Sequence, residues 1–131
     1  MKAPLFIRAL MKGSAAGVEH ESILKNLKEC RYIIDIGANR GQFALVSRHC
    51  FPGAKIESFE PLQEPSSIYK RVFLNDEKVR LHSYAVGAEK GEAIIHVSAK
   101  DDSSSLLPIS DQQVSLFPRT EEKETRTIKV V

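Results

Sequence analysis

The sequence has no tryptophan, only two cysteines, and no apolar run near the ~20 residues that a membrane-spanning helix requires. Cys30 and Cys50 are too few for a secreted disulfide scaffold and lack zinc-type spacing, so they read as reduced, largely buried thiols in a cytoplasmic protein. The four histidines, His20, His49, His82 and His96, form no pair at helical i, i+4 spacing, and no metal site is expected from them. No basic run tracks a phosphate backbone: 19 basic and 17 acidic residues are spread along the chain, which leaves nucleic acid without an implied role. The apolar start is broken by Arg8 and lacks a small-residue cleavage site, so a signal peptide is not indicated.

What is present is an ordinary globular composition, 42% apolar and 27% charged over 131 residues, enough for one core. A domain of this size buries roughly 65–70% of the surface of its unfolded chain, so missing elements would be felt. After the flexible Gly13-Ser14-Ala15-Ala16-Gly17, the spacing of Ile23, Leu24 and Leu27 predicts an amphipathic helix over residues 19–30. Residues 1–30 are thus expected as a helical lead-in and residues 31–131 as the domain proper.

Tyr32-Ile33-Ile34-Asp35-Ile36 is a short apolar run closed by Gly37, the look of a parallel strand buried on both faces. A first crossover helix is predicted over 41–50, with Phe43, Val46 and Cys50 inward and Arg40, Gln42 and Arg48 on the wetter side. Residues 55–60 form strand two. Pro61 suits the opening of a second helix over 66–75, with Ile68, Tyr69, Val72 and Phe73 as its stripe, and residues 79–84 form strand three. Strands alternating with helices predict an α/β fold with a parallel sheet. The pattern then changes: residues 92–98 alternate as an antiparallel strand, 100–124 read as a long polar loop, and 125–131 as a returning strand.

The chemistry concentrates where strand one meets the first helix, the carboxyl edge at which open α/β sheets bind ligands. In Asp35-Ile36-Gly37-Ala38-Asn39-Arg40-Gly41, Gly37 allows a tight turn and a close ligand approach, and Gly41 lets the helix begin close under the loop, with its first amides towards the site. Glu60, ending strand two, faces the same crevice, where a carboxylate can accept two ribose hydroxyls. A dinucleotide fingerprint needs a second glycine where this sequence has Asn39, so a diphosphate is poorly served. Asp35 at the loop base suits a ligand carrying an ammonium and a sulfonium, as S-adenosylmethionine does. The acids Asp101-Asp102 read as a solvated loop rather than a metal pair, and Ser103-Ser104-Ser105 lacks the context of a nucleophile.

The run from Asp35 to Phe43, Phe59-Glu60-Pro61 and Ala85-Val86-Gly87 resemble the FkbM-type methyltransferases, and Ser103-Ser104-Ser105-Leu106-Leu107 is similar to a serine-rich segment of that family. The resemblance covers residues 31–131. It implies a Rossmann-like class I methyltransferase fold, S-adenosylmethionine held by Asp35, Gly37, Ala38, Asn39, Gly41, Glu60 and Pro61, and a small-molecule acceptor such as a sugar hydroxyl. No residue here is assigned as catalytic. Family members continue past the equivalent of Val131 into a helix and a strand ending in an Asp-Val-Gln-Gly-Glu-like motif, so the domain is expected to be truncated. With strand one central in the complete fold, its edge would then lie open for self-association or a partner chain. The alternative is a non-catalytic cofactor-binding or assembly module; a nucleotide-binding oxidoreductase domain is disfavoured by Asn39.

Overall fold

The computed structural model describes residues 3–100 and 103–131, which leaves Asp101-Asp102 outside the described residues. The chain divides into two compact units, Met1–Ser83 and Tyr84–Val131.

In the first unit, β1 (Tyr32–Ile36), β2 (Lys55–Phe59) and β3 (Val79–His82) form a parallel sheet in that order. The crossovers are α3 (Gln42–Cys50) and α4 (Gln63–Val72), and α1 (Ala3–Met11), a single 3₁₀ turn (Val18–His20) and α2 (Glu21–Leu24) precede the sheet. Pairing puts Ile33, Ile56 and Val79 in one inward layer and Asp35, Ser58 and Leu81 in the next, towards the carboxyl end of the strands. Ala9, Ala44 and Ala54 sit in the core with Leu45, Tyr69 and Phe73, and small side chains there allow close packing of α1 and α3. Among the described residues no helix is long and apolar enough to cross a membrane.

Right-handed crossovers that step in one direction across a sheet put their helices on one face. This corrects the expectation that β1 is buried on both sides: Ile33 and Asp35 are buried, whereas Tyr32, Ile34 and Ile36 are 68%, 68% and 61% exposed. Among the described residues β1 is also an edge strand, paired only with β2.

Three helices depart from the sequence reading. The helix expected over 19–30 is cut to the 3₁₀ turn and α2, because only Leu24 finds cover while Ile23 and Leu27 stay in solvent. α4 begins at Gln63 rather than 66 and ends at Val72; Pro65 falls in its first turn, where a missing amide hydrogen costs nothing. In α3 Arg48 is buried rather than on a wet side, for reasons of hydrogen bonding developed below. β3 ends at His82, short of Tyr84. Cys30 and Cys50 are in no disulfide among the described residues and are only half-buried.

The second unit is an antiparallel ribbon of β4 (Gly91–Ser98) and β5 (Glu122–Val130), with a bulge at Val97 and Ser98. β5 starts at Glu122 instead of 125, and the stretch expected as loop holds α5 (Asp111–Leu116), capped by Ser110, whose hydroxyl accepts from the Gln113 amide at 3.2 Å. Ile95, Ile128 and Val130 are its buried apolar residues. The serine run serves turns: Ser104 Oγ accepts from the Ser98 amide, Ser105 Oγ accepts from Leu107, and the Ser105 backbone bridges to His96.

Candidate functional site

The loop between β1 and α3 owes its shape to three left-handed residues in five: Gly37 (φ 78°), Asn39 (φ 49°) and Gly41 (φ 88°). Asparagine is among the few side chains that tolerate this conformation, so no second glycine is needed for the turn. Gly37 faces open space, with nothing within 4 Å of where a Cβ would stand. Gly41 is the opposite case. A Cβ there would sit 2.7 Å from the Phe73 ring and 3.0 Å from Tyr69, so its absence lets α3 start directly on the aromatic pair of α4.

Every backbone amide of the loop is already engaged. Gly37 and Ala38 donate to the Phe59 carbonyl at 2.9 and 3.0 Å, Asn39 donates to Glu60 Oε2 at 2.9 Å, Arg40 to the Gln42 side-chain oxygen at 3.1 Å, and Gly41 to the Ala38 carbonyl at 2.8 Å. A phosphate-binding loop works by aiming free amides at its anion. This one turns its amides inward.

Two carboxylates converge beneath it. Asp35, in β1, and Glu60, directly after β2, are 7% and 6% exposed at the carboxyl edge of the sheet. Burial, with repulsion from Glu60, pushes the Asp35 carboxyl up to about 6, while a hydrogen bond from Ser58 holds it down. Burial likewise raises Glu60 above the usual carboxylate range, against the amides of Leu62 and Asn39 that donate to its two oxygens at 2.8 and 2.9 Å. Asp35 Oδ2 is buried without a hydrogen-bond partner. Neither acid forms an ion pair among the described residues.

The structure therefore brings Asp35, Gly37, Ala38, Asn39 and Glu60 to one loop, puts Gly41 underneath as a packing contact, and leaves Pro61 half-buried just before the Leu62 cap of α4. Two buried carboxylates with spare lone pairs, an unpartnered Oδ2 and the open approach over Gly37 fit a ligand that is cationic and carries hydroxyls. They do not fit a diphosphate. The sequence reading passed over Ser58 and the Tyr69 hydroxyl, which stand behind Asp35. Ser58 was legible in principle, since it shares the inward period-two positions of β2 with Ile56.

Residues 35–131 match the family described as the methyltransferase FkbM domain, a match that begins on Asp35 itself. No curated protein matches the chain.

Proposed function

Because the chain belongs to the FkbM methyltransferase family, we propose that the β1–α3 loop and Glu60 hold S-adenosylmethionine for methylation of a small-molecule hydroxyl, of the kind sugars carry. The observation that carries this reading is a pair of buried carboxylates, without a cation partner among the described residues, under a loop whose amides are all taken. When bound, the cofactor supplies an electrophilic methyl group on a sulfonium.

The residues of the chain then have distinct tasks. Asp35 offers its carboxylate to the ammonium end of the ligand, where a charge-assisted hydrogen bond in a dry setting is strong. Gly37, Ala38 and Asn39 form the open wall of the loop, and Glu60 keeps the lone pairs not used by Asn39 and Leu62 for ribose hydroxyls. Pro61 fixes the backbone next to Glu60. Methyl transfer itself depends chiefly on holding the acceptor in line with the sulfonium.

Calorimetric titration with S-adenosylmethionine tests the reading, with NAD as the control. Glu60→Ala is expected to weaken binding roughly 10- to 100-fold, the worth of one or two charge-assisted hydrogen bonds. Heat with NAD, or an unchanged affinity in the variant, would sink it.

A second reading, a non-catalytic module that assembles through β1, draws on the open edge and the exposed Tyr32, Ile34 and Ile36. It requires concentration-dependent association. Light scattering that returns a monomer at every concentration removes it.

A further inference from the structure

α1 (Ala3–Met11) is apolar on two opposite faces. With about 100° between successive residues, Leu5, Phe6 and Ala9 share one side, which packs on the core of the first unit. Ile7, Leu10 and Met11 share the other and are 56%, 65% and 84% exposed. A surface helix of a globular protein ordinarily has one apolar stripe and turns polar side chains outward. Here three large apolar side chains point outward between Ile7 and Met11, the mark of a contact surface.

The charges beside that face indicate its partner. Arg8 and Lys12, four residues apart, run along one flank of the helix between its two apolar faces. With Lys2 they are the only charged residues before Glu19, so no acid offsets them locally. Arg8 is exposed and forms no ion pair among the described residues. Lys12 donates to the Arg71 carbonyl in the last turn of α4 at 2.8 Å, a neutral acceptor that leaves its charge uncompensated. Cations flanking an apolar helix face match an anionic bilayer, whose charged headgroups lie directly above its acyl chains. A second copy is a poor match, because a two-fold contact through this face would bring Arg8 and Lys12 towards their own counterparts with no acid to answer them.

We propose that the outer face of α1 docks on an anionic lipid surface. Ile7, Leu10 and Met11 enter the boundary between headgroups and acyl chains, and Arg8 and Lys12 stay at the level of the headgroups. The helix lies in the plane of the surface, since its nine residues reach only about 14 Å against a hydrocarbon core of about 30 Å. Leu5, Phe6 and Ala9 keep α1 on the core throughout, so docking needs no unfolding. It is also independent of what the β1–α3 loop holds.

The test is co-sedimentation of the full chain with vesicles of phosphatidylcholine alone and with vesicles containing about one-third phosphatidylserine. Partition into the anionic vesicles is expected to exceed that into the neutral ones by at least about 10-fold and to weaken as salt rises. Leu10→Gln/Met11→Gln keeps good helix formers in α1 and should lower partition at least about 10-fold. Arg8→Gln should lower it roughly 5-fold, on the anionic vesicles alone. These side chains stand in solvent, so circular dichroism of both variants should match wild type. Folded wild type that stays in the supernatant with both vesicles, or equal partition into the two, would overturn the proposal. So would full retention of binding in the double variant. A wild-type dimer that ignores vesicles and is lost in the double variant would assign the face to a second copy instead.

Discussion

Arg48→Ala is expected to destabilise the first unit by about 3–5 kcal/mol, the usual cost of removing one partner of a buried ion pair. The guanidinium binds Asp76 bidentately, Nε to Oδ2 at 2.7 Å and Nη2 to Oδ1 at 3.2 Å. Its remaining nitrogen, Nη1, donates to the carbonyls of Phe51, Pro52 and Ala54 at 3.3, 3.0 and 2.8 Å. One side chain therefore closes the turn from α3 into β2 and ties it to Asp76, which itself accepts from the Lys78 amide at the start of β3. Alanine would strand three carbonyls and a carboxylate, and the loss compares with the 5–15 kcal/mol of a whole domain. Melting followed by circular dichroism should fall by more than about 10 °C. Arg48→Lys should lie between, since an ammonium restores the charge but not the planar fork. A loss below about 1 kcal/mol in the alanine variant would show that the pair behaves as a solvated surface contact.

Arg48 also shows where sequence reasoning stops. Its partner is 28 residues away, and from the helical pattern alone a basic residue belongs outside. The same limit hid the bond from the Tyr69 hydroxyl to Ser58, whose members come from α4 and β2 and meet only when the helix packs on the sheet. By contrast, the parallel strands and the loop were legible, because an apolar run stopped by Gly37 and the residues Asp35, Gly41 and Glu60 report local geometry. The helix expected over 19–30 failed for a tertiary reason: Ile23, Leu24 and Leu27 have helical spacing, but only Leu24 is offered a surface to pack on. β5 began earlier than expected because Glu124 and Glu122 pair with Val97 and Ser98 across the bulge, where three exposed polar residues in a row leave no apolar alternation to read.

Asp35→Asn is expected to make the ligand-free protein more stable and a worse binder. The Asp35 carboxyl rises from 3.8 to about 6 on folding, so the folded state holds more protons than the unfolded state between those values. The stability contributed by the protonated form is fully present below pH 3.8 and is lost as pH rises through about 6. Above that, keeping the charge buried beside Glu60 costs about 3 kcal/mol. Asparagine has nearly the same shape and no charge, but its amide needs a partner where Oδ2 had none, which takes back about 1–2 kcal/mol. The net gain at pH 7.5 should be about 1–2 kcal/mol, shrinking between pH 6 and 4, where wild type also becomes neutral. Affinity for S-adenosylmethionine should meanwhile drop roughly 10- to 100-fold, as the ammonium loses its counter-charge. Thermal melts at pH 7.5 and pH 4, with calorimetry at the higher pH, separate the two effects. A variant less stable than wild type at pH 7.5 would mean that the ionised carboxylate earns its place by structure rather than by binding, whereas the expected result marks Asp35 as a group kept charged at the expense of the fold.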